Sequence, residues 1–200
     1  MAAAAITKRY TPEEYLCLER KAEFKSEYCN GDITARSGAS RAHNLVTGNI
    51  YAEVRNDFKD RPCEVYACNM RVRTSPTGLY TYPDVVAVCG EPLFLDDEFD
   101  TLLNPTLIVE VLSPSTETYD RGRKFDQYKA IASLREYIIV SQDEVLVERF
   151  VKRGNQWERT TYRDTGETLR LESIHCDVSL LELYAKVRLA NGEIVGLDPL

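Results

Sequence analysis

Apolar residues along this chain change their period several times, and each change marks a new element. The opening pattern is helical. Tyr15 and Leu18, with Leu16 beside them, give an apolar face, Thr11 suits an N-cap, Pro12 the first helical position, and Glu14 the capping-box position. Next, Glu27-Tyr28-Cys29 and Asp32-Ile33-Thr34 flank Asn30-Gly31, a pair that tolerates positive φ and so predicts a hairpin with a type I′ turn. A longer helix is expected over residues 40–58, where Leu45, Val46, Ile50 and Val54 recur at helical spacing.

Beyond Cys63 the period shortens. Residues 64–73 alternate loosely, 80–88 are β-branched and aromatic, and 106–112 are almost wholly apolar. All three read as strands, the last as a buried central one. A helix is expected over 120–132, then a buried strand over 135–141, carrying Tyr137-Ile138-Ile139-Val140. Residues 145–151 and 156–162 read as a meander, and 179–184 as a short helix capped at Ser179. A strand–helix–strand crossover with antiparallel strands around it describes an α/β (α+β) fold with a mixed central sheet flanked by helices. With no repeat or linker in sight, one domain is expected over residues 10–185, between an N-terminal tail (1–9) and a C-terminal tail (186–200).

Composition narrows the function. The 200 residues are 44% hydrophobic, enough for a core and too many for wholesale disorder. With 32 acids against 25 bases the net charge is −7, which argues against indiscriminate coating of DNA. Residues 90–104, however, hold five acids and no base. The rest of the chain is therefore nearly balanced, and Arg121, Arg123, Lys124 and Lys129, with Arg71 and Arg73, could still line a local basic cleft. The acidic segment is expected to face away from DNA or to restrain access to it. No apolar run approaches the ~20 residues of a bilayer helix, and the opening residues lack the basic flank of a signal peptide. Cys17, Cys29, Cys63, Cys68, Cys89 and Cys176 form no CxxC pair, so free thiols in a reducing cytoplasm are expected rather than zinc or disulfides.

The most informative residue is Glu110, set in Leu107-Ile108-Val109-Glu110-Val111-Leu112. An isolated ionised carboxylate buried there would cost many kcal/mol, so it must be protonated, paired or bound to metal. Asp84, between Pro83 and the apolar run Val85-Val86-Ala87-Val88, poses the same problem. If the two strands are neighbours, both acids project from one region of a sheet and supply the oxygen ligands that Mg²⁺ or Mn²⁺ prefers. The bland alternatives are a strand-start residue beside proline for Asp84, and a buried pair with Arg71 or Lys124 for Glu110. Lys124 beside such a pair could orient water and offset charge in a phosphoryl transition state; otherwise it belongs to a solvated helix face. Glu27 is a third acid or a surface cross-strand partner, and His43 acts on phosphate or water, or caps its helix.

The set Glu27, Asn30-Gly31-Asp32, His43, Pro83-Asp84-Val85-Val86, Leu107 to Leu112 continuing as Ser113-Pro114-Ser115-Thr116, Asp120, Lys124, Tyr128 and Glu136-Tyr137 resembles the Uma2 family (DUF820). The resemblance runs from about Tyr10 to Tyr184, and Glu-Val-Leu-Ser-Pro-Ser-Thr is its most specific part. It implies a PD-(D/E)XK, restriction-endonuclease-like core and a Mg²⁺-dependent (or Mn²⁺-dependent) phosphodiesterase site. By position Asp84 and Glu110 would be metal ligands and Glu27 an additional acid. The superfamily's lysine, two residues after the acid, is replaced by Leu112, and Lys124 from the next helix is the expected substitute. His43, Ser113, Ser115, Asp120, Arg121 and Arg123 are the candidate substrate-binding positions.

Three functions compete on this reading. The first is a metal-dependent DNA endonuclease using Asp84, Glu110, Lys124 and Glu27, expected as a homodimer because two sites suit two strands. The second keeps the fold as a nucleic-acid or protein binding module without cleavage, which the missing acid-x-lysine triplet favours. The third, a carboxylate-pair glycosidase, needs a water-exposed acid that the apolar run around Glu110 does not offer.

Overall fold

The computed structural model describes residues 8–36, 38–113 and 116–196. Helix α1 (Pro12–Glu19) starts at a full capping box, Thr11 accepting from Glu14 and Glu14 from Thr11. Strands β1 (Ser26–Cys29) and β2 (Asp32–Ala35) follow, joined through Asn30 and Gly31, which take φ 49° and 97° as the hairpin signal required. Helix α2 (Arg41–Asp57) is capped by Ser40, whose hydroxyl accepts from the His43 amide.

Two expected strands are each split, and the halves go to different sheets. Residues 64–73 become β3 (Cys63–Ala67) and β4 (Arg71–Arg73), broken at Cys68, which sits at φ 55°. Residues 80–88 become β5 (Tyr80–Thr81) and β6 (Val85–Cys89), broken around Pro83, which has no N–H for a ladder. The chain then runs through β7 (Thr101–Leu102), β8 (Leu107–Leu112), β9 (Glu136–Ser141), β10 (Val147–Arg153), β11 (Gln156–Tyr162), β12 (Thr168–Leu171) and β13 (Cys176–Ser179). It closes with helix α5 (Leu180–Leu183), whose predicted cap Ser179 makes no side-chain bond to it. The β12–β13 hairpin is not anticipated by the sequence pattern, its strands being only four residues long.

A six-stranded sheet in the order β11-β10-β9-β8-β6-β3 is mixed, parallel only at β8–β9 and antiparallel elsewhere. Strict alternation assigns its faces. Val85, Ala87, Val109, Val111, Ile138 and Val140 pack beneath Val46, Ile50 and Val54 of α2 and against α5. Val86, Val88, Ile108, Leu112, Tyr137 and Ile139 pack on the other side with Phe125, Tyr128 and Ile131. The β8–β9 crossover that covers this second face is not one regular helix. It passes through α3 (Glu117–Tyr119), a π-helical turn (Asp120–Lys124) and α4 (Phe125–Tyr128), ending four residues earlier than the apolar pattern suggests. A five-stranded sheet, β2-β1-β5-β4-β7, carries the N-terminal hairpin beside it.

Two further expectations are corrected. Cys63 and Cys89, facing each other across β3 and β6, form a disulfide, because antiparallel register brings together residues 26 apart. Cys17, Cys29, Cys68 and Cys176 are free. Arg71 is not a partner of Glu110 and does not line a cleft: it is buried and bonds Asp100, Thr101 and Tyr82. The acidic segment serves as an arginine anchor, Asp96 and Asp100 both binding Arg20. Glu19 completes this tie by accepting from Ser26 and from Tyr82, so α1, the hairpin and β4 are fastened as one unit. Among the described residues no helix is long and apolar enough to cross a membrane.

Candidate active site

Because Val85 pairs with Val109 across β6 and β8, Asp84 and Glu110 follow as neighbours at the same end of both strands. Glu110 shares the face of Ile108 and Leu112, under the π-helical turn, whereas Asp84, one residue before β6, meets His43 at the start of α2. Asp84 replaces a ladder carbonyl, its Oδ2 accepting the Val111 N–H at 2.8 Å. The same oxygen lies 3.2 Å from His43 Nε2, while Oδ1 lies 3.6 Å from Arg36 and is buried without a hydrogen-bond partner. Glu110 Oε1 accepts from the Tyr128 hydroxyl at 2.6 Å and from Lys124 Nζ at 2.9 Å. Lys124 Nζ also lies 3.4 Å from Asp120 and 3.7 Å from Glu27, whose carboxylate is held by Thr81.

The two neighbouring acids are pushed in opposite directions. Burial would raise Asp84, yet the His43 contact and the Val111 N–H outweigh it and hold the carboxyl below its ordinary value. Burial drives Glu110 upward, and Asp84 and Asp120 add to this against the pull of Lys124 and Tyr128. Lys124 stays firmly protonated. Its own burial works against the charge, but Glu110, Glu27 and Asp120 more than compensate. Adjacent acids with diverging proton affinities in one cleft are a mark of a reactive site.

The cavity above them encloses about 370 Å³ and brings together seven of the expected residues: Glu27, His43, Asp84, Glu110, Ser113, Asp120 and Lys124. Lys124, from the π-helical turn, reaches Glu110 at 2.9 Å. Leu112 belongs to the apolar cluster on that face, and the π-helical turn brings the Lys124 ammonium over it. Arg121 lies elsewhere, paired with Glu117 and Glu148, and Lys129 pairs with Asp126 on an exposed surface. Arg123 lines an adjoining cavity, and Ser115 lies outside the described residues. Sequence reasoning missed Arg36 and Tyr119 in the lining. Arg36 had a signal: it lies two residues past Thr34, the cross-strand partner of Glu27, and so on the same face.

The donor set suits a hard divalent cation. Among the described residues no three His, Cys, Asp or Glu side chains gather into a protein cage. Mg²⁺ does not require one, since it keeps several waters and takes one or two carboxylates plus substrate phosphate oxygens. Asp84 and Glu110 could supply the two carboxylates, and Asp84 Oδ1, which has no hydrogen-bond partner, is an oxygen with a coordination position to spare.

The chain matches the family model of Uma2, described as "Putative restriction endonuclease", over residues 12–184. It is 37% identical over 173 residues to the Synechocystis sp. protein sll1609, covering 86% of this chain and 97% of that one. It is 33% identical over 177 residues to slr1290 of the same organism, covering 88% and 92%. A crystal structure of "a putative nuclease belonging to DUF820" from Anabaena variabilis superposes with a TM-score of 0.72 at 18% identity, covering 87% of this chain and 97% of that chain. At that identity the likeness establishes the fold, a nuclease-like mixed α/β architecture.

Proposed function

Since this chain belongs to the Uma2 family, we propose that it is a metal-dependent endonuclease hydrolysing DNA phosphodiester bonds, working as a homodimer on DNA. The observation that carries this reading is the meeting of Asp84, Glu110 and Lys124 at one buried cavity. Asp84 and Glu110 would hold Mg²⁺ or Mn²⁺, which when bound supplies Lewis-acid stabilisation of the phosphoryl group and a more acidic water.

The chain's own residues do the remainder. Lys124 brings a positive charge into a site otherwise dominated by carboxylates, where it offsets charge on the phosphoryl oxygens. Glu27 and Asp120 keep its ammonium protonated and fix its position. His43 and the Val111 amide hold Asp84 through one oxygen and leave the other without a hydrogen bond. Ser113 and Asp120, both in the cavity lining, would contact the substrate.

Incubation of the purified protein with supercoiled DNA and Mg²⁺ or Mn²⁺ is expected to give nicked and linear product. Asp84→Asn and Glu110→Gln should each abolish this while circular dichroism reports an unchanged fold. Cleavage that persists in both variants overturns the assignment.

The ion pair of Lys124 with Glu110 favours a second reading, a nuclease fold retained as a binding module, because the ammonium already neutralises one of the two acids. Calorimetric titration with Mn²⁺ separates the two. Binding that is lost in Asp84→Asn supports the enzyme, and no binding supports the module.

A further inference from the structure

The acids at the centre of this site are deep. Asp84 is 3% exposed and Glu110 2%, and the cavity over them is at the small-ligand end of pocket sizes. It is walled on one side by the β1–β2 hairpin, through Glu27 and Thr34, and on the other by the start of α2 and by Tyr119. A phosphate on the outside of an intact duplex is carried by a rigid rod too wide to follow it into such a space. An unpaired strand, or a nucleotide turned out of the stack, can enter.

A second cavity of about 860 Å³ continues the first, sharing Glu27, Thr34 and Tyr119 with it. Tyr119 is half-buried at the junction, one ring for both compartments. On the far rim stand Arg123, exposed and with no ion pair among the described residues, and Arg9, which donates to the Asn30 carbonyl and packs over Gly31. Asp32 and Asp126 share this rim, and Asp126 is neutralised by Lys129. The limb therefore carries two arginines, offset by Glu27, Asp32 and Asp126 so that its charge is close to balanced, and an aromatic platform. Those are the ingredients of sequence-tolerant single-strand binding rather than of strong duplex attraction.

We infer that the substrate is unpaired DNA, threaded under the β1–β2 hairpin with the scissile phosphate above Asp84 and Glu110 and the flanking nucleotides beside Tyr119 and Arg123. The inference rests on the nuclease reading for what happens at the phosphate, but the threading is a separate property. Tyr119 would stack one base, and Arg123 would contact a backbone phosphate. No covalent step is added to the hydrolysis already described.

The test compares labelled DNA of about 15 nucleotides, a length near the site sizes of single-strand binders, as a free strand, as a blunt duplex and as a duplex with an unpaired tail. Fluorescence anisotropy with the full chain in Ca²⁺ gives affinity, and gel assays in Mg²⁺ give cleavage. The free strand and the tail should bind about tenfold or more tighter than the blunt duplex, and Tyr119→Ala should remove about tenfold of that, while Tyr119→Phe keeps it. Arg123→Ala, at an exposed position where folding is not at stake, should reduce the log–log salt slope by about 0.7. A blunt duplex bound and cut as well as the strand, with Tyr119→Ala silent, overturns the threading and leaves the nuclease standing. A strand preference sensitive to Tyr119 without any metal-dependent cleavage does the reverse. Failure to bind any of the three DNAs also overturns the threading.

Discussion

Lys124 Nζ lies 2.9 Å from Glu110 Oε1, both groups 5% exposed or less, so each is the other's main compensation for burial. Breaking such a pair from one side is costly, because the survivor is left charged and unpaired. Lys124→Met is expected to lower stability by about 3–5 kcal/mol. The double variant Lys124→Met/Glu110→Gln should recover most of that, because neither member of the pair is then left charged without the other. Urea unfolding of the two singles and the double measures the coupling. Additive losses would mean that the pair does not stabilise as a pair.

His43 touches Asp84, and on the proposed reading it aims that carboxylate. Removing a partner of that kind typically costs about 10–100-fold in metal affinity. His43→Ala is therefore expected to weaken Mn²⁺ binding by calorimetry within that range, with His43→Gln losing less because it retains a donor. Unchanged affinity in both variants would assign His43 to helix packing with Thr47.

Carboxyls held low by arginines set the acid limit of stability. Glu172 is pulled from its ordinary 4.5 to about 2 by hydrogen bonds from Arg149 and then Arg153. Asp100, although burial works the other way, is also held low by Arg20 and Arg71. Folded pKa values below the unfolded ones bring stability that is complete above the ordinary carboxylate range and lost as pH falls through the folded values. The melting temperature should therefore decline as pH drops from about 4.5 towards 2, and Glu172→Gln should flatten part of that decline. A wild-type melting temperature constant over this window would contradict the sign.

The Cys63–Cys89 bridge closes a loop with a sequence separation of 26. On the chain-entropy account its removal should cost about 3 kcal/mol. It joins β3 and β6 at the end remote from Asp84, since Ala67 pairs with Val85 at the other end. Cys63→Ser/Cys89→Ser should accordingly lower the urea midpoint while leaving the metal-dependent cleavage rate unchanged. Loss of cleavage at full folding would show that the bridge holds the site.

Local order was legible wherever the local pattern had a single solution. The capping box at Thr11 and Glu14, the Asn30-Gly31 turn and the spacing of Val46, Ile50 and Val54 each encode an element without help from distant residues. The burial of Glu110 also followed from the sequence, because six successive buried positions in β8 leave no exposed face for it. Chain breaks were harder. One apolar run over residues 80–88 serves two sheets, and only the tertiary arrangement decides that Pro83 is the point of departure.

By itself, then, the sequence determined that two acids sit in apolar strands and need partners. Which partners they find is a property of register and layering. Antiparallel pairing of β6 with β8 sets Asp84 beside Glu110, and the alternation of side chains along β8 turns Glu110 towards the crossover. The π-helical turn lowers Lys124 onto Glu110, whereas Arg71, an equal candidate by charge alone, is drawn to Asp100. Charge fixes what a buried carboxylate requires, while distance decides which cation supplies it, and distances between remote residues exist only once the chain has folded.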